Sequence, residues 1–198
     1  MKSPLRQLAS ELLSLPTMKW LGLGAVLWTS GGCLIPQDES YLNALPIQRN
    51  RPPRFVESQV EPPARIIGGY GSDKLCDLKF SVFVEDPDTA DRLTVNWFVD
   101  YDPSQPRGPD SVSRVEPRDN RVVRGDSATF QVSFNSGNLS RLNQLGDHVV
   151  EAIVSDTILV GRDPEPKPIP LSDGSIFNDA GYTATYVWFV RTEGNGCQ

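Results

Sequence analysis

The chain has 198 residues, with 19 Lys plus Arg against 25 Asp plus Glu, a net charge of −6, one His and three Cys. The acidic balance excludes nucleic acid as a partner, because such binding rests on neutralising phosphates with excess basic charge. One histidine excludes a His-rich metal site and leaves one candidate for histidine-dependent catalysis, while an odd cysteine count in an exported chain has to be accounted for.

Residues 20–28, from Trp20 to Trp28, form an uncharged apolar run preceded by Lys19. The run is far shorter than the about 20 residues that a membrane-spanning helix needs, and its length suits the apolar region of a signal peptide. Met18-Lys19 opens a more ordinary start to such a peptide than Met1 does, so translation from Met18 is an alternative. Thr29-Ser-Gly-Gly32 then leads directly into Cys33. Small residues before a cysteine resemble the lipobox of bacterial lipoproteins, although Ser30 stands where that family usually has Leu. The resemblance implies that residues 1–32 are removed, that Cys33 is lipidated, and that the protein is held to a membrane of the cell envelope. Leu34 in place of Asp resembles outer-membrane retention where the cell has two membranes. Removal of Lys2, Arg6, Lys19 and Glu11 leaves 16 basic and 24 acidic residues, net −8. Charge then works against adhesion to an anionic bilayer, and the lipid has to supply the anchoring.

From Cys33 to Arg51 the composition reads as a Pro-rich tether, extending loosely to about residue 64 through Pro52, Pro53, Pro62 and Pro63. Proline removes backbone donors and favours extended neighbours. Arg54-Phe-Val-Glu57 and Ala64-Arg-Ile-Ile67 are candidate edge strands within it. Gly68-Gly-Tyr-Gly71 lacks the residues of a phosphate-binding fingerprint and reads as a loop.

Beyond it the hydrophobic period is two. Cys76, Leu78, Phe80, Val82 and Val84 alternate with more polar positions, as do Leu93, Val95, Trp97, Val99 and Tyr101. Ala128, Phe130, Val132 and Phe134 repeat the pattern, followed by His148, Val150, Ala152 and Val154, and by Tyr186, Trp188 and Val190. Each set marks a strand with one buried face. Leu139, Leu142 and Leu145 fall three apart and suit a short helical turn. The sum is an all-β, antiparallel sandwich over residues 52–198.

The stretch Phe80 to Asp100, F-S-V-F-V-E-D-P-D-T-A-D-R-L-T-V-N-W-F-V-D, resembles the second and third strands of immunoglobulin-like, polycystic-kidney-disease-type and cadherin-like modules. Gly146 to Asp156 is similar to their penultimate strand. The resemblance implies an immunoglobulin-like sandwich with Trp97 in its core, and an extracytoplasmic binding or spacer role without enzymatic activity. It departs from antibody domains in lacking their inter-sheet cysteine pair.

Several groups carry more than one reading. Cys76, in phase with a buried face, and Cys197, just past the last strand, form a disulfide in an oxidising compartment or remain two free thiols. Glu85, Asp86, Asp88 and Asp91 gather at one strand end, where carboxylates could coordinate Ca²⁺, as in a calcium-dependent adhesion module. The plainer reading is a tight turn fixed by Pro87. No other cofactor is indicated. Arg107, Arg114, Arg118, Arg121 and Arg124 make residues 107–124 net +2, a solvated edge or a dock for an anionic glycan or headgroup. Arg124-Gly-Asp126 also spells an integrin-recognition tripeptide, or an ordinary turn. His148 reads as a structural histidine, since Asp147 points to the opposite strand face and cannot orient it. An envelope hydrolase would therefore have to work through a carboxylate pair. The connection from Gly161 to Tyr182 holds Pro164, Pro166, Pro168 and Pro170, a stiff polyproline segment projecting from the sandwich end. With Ile176, Phe177 and Tyr182 as apolar anchors, it is the expected contact loop for an envelope protein or glycan, or else an unconstrained insertion.

Overall fold

The computed structural model describes residues 47–134, 140–194, 196 and 197. Cys33, the signal segment and Leu139 lie outside the described residues.

The strands form where the sequence alternates. Leu93–Val99 (β5), Gly146–Ser155 (β8) and Thr183–Thr192 (β13) are adjacent and antiparallel, with ten residue pairs joining β8 to β13. Ser111–Val115 (β6) flanks β5, and Ile66–Tyr70 (β2) flanks β13, giving the order β2-β13-β8-β5-β6. The second layer is narrower. Asp77–Val82 (β3) pairs with Ala128–Ser133 (β7), and after Phe83 the chain continues as Val84–Glu85 (β4), which pairs with Arg54–Phe55 (β1). Bridges Glu61↔Ser81 and Glu85↔Val123 extend this layer. The protein is an all-β sandwich.

The core lies between the layers. Phe80 of β3 meets Trp188 at 5.0 Å and Phe130 at 6.0 Å between ring centroids, and Trp97 stacks on Phe130 at 5.7 Å. Trp97 and Trp188 have no exposed surface, which confirms Trp97 as a core residue. Both indoles keep a polar partner, as buried tryptophans require: Trp97 Nε1 donates to Ser113 Oγ and Trp188 Nε1 to Pro62 O. This aromatic cluster spans the layers in a chain that lacks the inter-sheet cysteine pair.

Four expectations need correction. The residues assigned to a tether as far as 64 are seated on the sandwich from Ile47 onward: Asn50 and Val60 are buried, and β1, a 3₁₀ turn at Glu57–Gln59 and the Glu61 bridge line the second layer. Proline density reads the same for a free linker and for a docked extended segment, so composition could not separate them. The Gly68-Gly-Tyr70 loop is strand, the end of β2. That strand runs parallel to β13, an exception to the antiparallel rule. Finally, β5 and β8 are buried on both faces. Phe98 and Ile153 are enclosed on the outer face, where Tyr101 packs edge-on against Phe98 at 5.1 Å and Arg162 lies over the Tyr101 ring.

The ends are tied as the residue pattern allowed. Cys76 and Cys197 form a disulfide, with Cα atoms 5.5 Å apart and a sequence separation of 121. The amides of Gly196 and Cys197 donate to Gly71 O. Gly71 has φ +85°, and a Cβ there would lie 2.9 Å from Gly194 N and from the Phe134 ring, so only glycine fits this close approach.

Candidate functional site

Three segments far apart in sequence meet at one end of the sandwich: residues 47–51, the acidic turn after β4, and the connection before β13. That connection is not a projecting polyproline segment. Leu159–Val160 (β9) pairs with Asp163–Pro164 (β10), and Lys167–Pro170 (β11) pairs with Ile176–Asp179 (β12) in two antiparallel hairpins. Prolines survive in β11 because Pro168 and Pro170 alternate with Lys167 and Ile169, leaving every second residue free to donate to the ladder. Pro166 is exposed between the hairpins.

Asn50 pins the β11–β12 hairpin. Its backbone N–H donates to Asp179 Oδ2 at 2.9 Å, and its side-chain amide donates to Asp156 Oδ2 and to Ala180 O, each at 2.7 Å. Its Oδ1 accepts from Lys167 Nζ at 3.1 Å. Asp156 Oδ1 accepts the Tyr182 N–H, so Tyr182 belongs to the base of the connection. Arg49 lies 4.4 Å over the Phe177 ring and reaches Asp179. The Asn50 amide, with Ala180 N–H and Arg49, holds Asp179 below the usual carboxylate range, whereas burial pushes Asp156 up.

In the acidic turn, one oxygen each of Asp86, Asp88 and Asp91 lie within 4.8 Å of one another, close enough to hold a metal ion. Each already faces a cation of this chain. Arg51 grips Asp88 through Nε, Nη2 and its backbone N–H at 2.8–3.0 Å. Lys167 pairs with Asp91. Arg124 stands 3.9 Å from Asp86 Oδ2 and donates to the carbonyls of Asp88, Thr89 and Arg121. Ca²⁺ entering here has to displace Arg51 and Lys167. Glu85 is outside the group of three and pairs with Arg54. Asp86 has no exposed surface; its Oδ1 accepts the Asp88 N–H, and its Oδ2 has no hydrogen bond. Burial pushes Asp86 up to about 6.

The knot leaves one side of the hairpin free. Ile169 and Phe177 are cross-strand partners turned toward the body, while Pro168, Pro170, Ile176 and Asn178 are exposed on the opposite face. Between the hairpin base and the acidic turn lies an open cleft of about 380 Å³, lined in part by Arg49, Asp88, Thr89, Lys167 and Ile169. The anchors Pro168, Pro170 and Ile176 thus share one surface. Phe177 and Tyr182 do not join it, and Pro164 sits in the other hairpin.

His148 is structural: its Nδ1 lies 2.6 Å from Asp100 Oδ2 and its Nε2 2.7 Å from Gln144 O, so neither nitrogen is open to a substrate. The expected short helical turn is a 3₁₀ turn at Arg141–Asn143 with Leu142 buried. Of the five arginines in residues 107–124, Arg114, Arg118 and Arg121 are exposed and β6 is a sheet edge, but Arg124 is wholly buried. With Arg124 enclosed, Arg124-Gly-Asp126 is a turn and offers no accessible integrin tripeptide.

Sequence reasoning missed Asn50, Asp156, Asp179 and Lys167. The only available signal was compositional: isolated polar residues at the margins of apolar strands, with partners 106 to 130 residues away for Asn50. No protein-family model, no curated protein and no solved structure matches this chain.

Proposed function

We propose that this is a non-enzymatic cell-envelope protein, lipid-anchored through Cys33, whose immunoglobulin-like sandwich presents the β11–β12 hairpin to an envelope protein or glycan. The observation that carries the reading is the hairpin itself: Pro168, Pro170 and Ile176 lie exposed on one face, and the other face is fastened through Lys167, Phe177 and Asp179. A contact surface whose anchors are already ordered loses little conformational freedom on binding. The anchor fits the same picture. Because the sandwich begins at Ile47, the chain between Cys33 and Ile47 spans at most about 50 Å, which keeps the hairpin close to the membrane.

The test is in-cell photocrosslinking with the probe amino acid at Ile176, compared with the same probe at Val112, which is exposed on β6. A discrete adduct at Ile176, absent at Val112 and lost in Ile176→Asp scanned from a probe at Pro168, supports the hairpin as the contact. Equal labelling at both positions overturns it. In the same cells Cys33→Ser is expected to leave the membrane fraction and to lose the lipid mass. Retention in the membrane overturns the anchor.

A further inference from the structure

The edges of the five-stranded sheet are treated differently. On β6, Arg114 is exposed and the Ser113 hydroxyl donates to Thr129 O, tying that edge to β7. On β2, Ile66-Ile-Gly-Gly-Tyr70 has neither charge nor proline to keep the edge from pairing, and its one irregularity is a register shift against β13 past Ile67, where Gly69 has φ +76°. β13 is the only strand that β2 pairs with among the described residues. Phe189 N–H donates to Arg65 O at 2.8 Å, and Ile66 and Ile67 stand opposite Phe189 and Val190. Alternation in such a ladder turns the backbone groups of Ile67 toward β13 and those of Ile66 and Gly68 away from it.

The side chains at those two positions are complementary. Ile66 is 79% exposed, and a Cβ built on Gly68 meets nothing within 4 Å. Both lie on the outer face beside Phe189, itself 54% exposed, at a shallow cleft of about 440 Å³ also lined by Val149 and Arg191.

We infer that β2 is a self-association edge: two copies of this chain join β2 to β2 antiparallel, with the two-fold axis at Ile67. In this register each Ile66 faces Gly68 of the second copy, so all the outward N–H and C=O groups at these two residues pair. Each isoleucine side chain then covers the open surface over the other copy's glycine, next to Phe189. The register follows from reciprocity, since the same two residues supply both the projection and the gap. No like charges come opposite within the uncharged β2, and in this register Arg65 faces the uncharged Gly69 of the second copy. The result is one continuous ten-stranded sheet across two copies. The inference does not rest on the lipid anchor or on the hairpin contact.

The experiment is sedimentation of the full chain in detergent over a range of concentrations, with Trp fluorescence reporting that each variant is folded. The wild type is expected to show a monomer–dimer equilibrium. Ile66→Asp is expected to weaken it about tenfold or more, while Val112→Asp on the opposite edge leaves it unchanged. A second measurement fixes the register: Ile66→Cys chains mixed with Gly68→Cys chains are expected to form a disulfide dimer under mild oxidation, because facing Cα atoms about 5.5 Å apart fall within disulfide range. Neither variant alone should do so. A chain that stays monomeric at every concentration, as when the edge takes a strand of another protein, overturns the proposal. So does a dimer that survives Ile66→Asp, or a mixture that fails to crosslink.

Discussion

Asp86 is a carboxylate enclosed with a guanidinium that is spent on three carbonyls. Removal from water costs its charged form more than Arg124 at 3.9 Å returns, so its pKa rises from 3.8 to about 6. A folded-state value above the unfolded one means that Asp86 favours folding fully below pH 3.8, and that this contribution is lost as pH rises through 6. Asn at this position keeps the acceptor for the Asp88 N–H and never ionises. Asp86→Asn is therefore expected to match the wild type near pH 4 and to exceed it by up to about 3 kcal/mol at pH 7, read from urea unfolding across that range. A difference independent of pH would contradict this account. Nothing in the local sequence distinguishes Asp86 from Asp88 or Asp91. What separates them is a burial that depends on Arg124, 38 residues further along the chain.

At the scale of elements, alternation made the strands legible because each presents one face to the core. His148, Val150, Ala152 and Val154 are buried in step, as are Tyr186, Trp188 and Val190. The pattern failed where something distant helps cover the second face, as Arg162 does by lying over the Tyr101 ring beside Phe98, and where a polar residue replaces an apolar one as the fastening, as Asn50 does for the hairpin. Asn50→Ala removes the side-chain bonds to Asp156, Ala180 and Lys167 and leaves the buried Asp156 oxygen without its amide. The expected cost is about 2–4 kcal/mol. Hydrogen exchange is the sharper check. Amides of residues 167–179 are expected to lose protection in this variant while those of β5 and β8 keep theirs. Uniform loss across the sandwich would mean that the knot supports the whole fold and not the hairpin alone.

For the whole molecule, the disulfide closes nearly the full length of the sandwich. Its 121-residue separation places the expected loss on Cys76→Ala/Cys197→Ala at about 3–5 kcal/mol, most of it from the restored freedom of the unfolded chain. Urea unfolding of this variant, beside the wild type with and without reductant, measures it; coincident midpoints would show that the crosslink is dispensable. The pairing was legible in the sequence as one cysteine in phase with a buried strand face and another just past the last strand. The boundary at Ile47 was not, because prolines fit a docked segment as well as a free one.

The knot at Asn50 has a mechanical consequence. The chain arrives at the sandwich at Ile47 and meets Arg49, Asn50 and Arg51 before any strand. The hairpin is held by the same residues through Asp179 and Lys167. Under the proposed function, tension between a lipid-anchored N-terminus and a ligand gripping Ile176 runs across a few polar bonds loaded side by side. The aromatic core lies off that line of force. Under strain the hairpin would part from the body first, with the rest of the fold still intact.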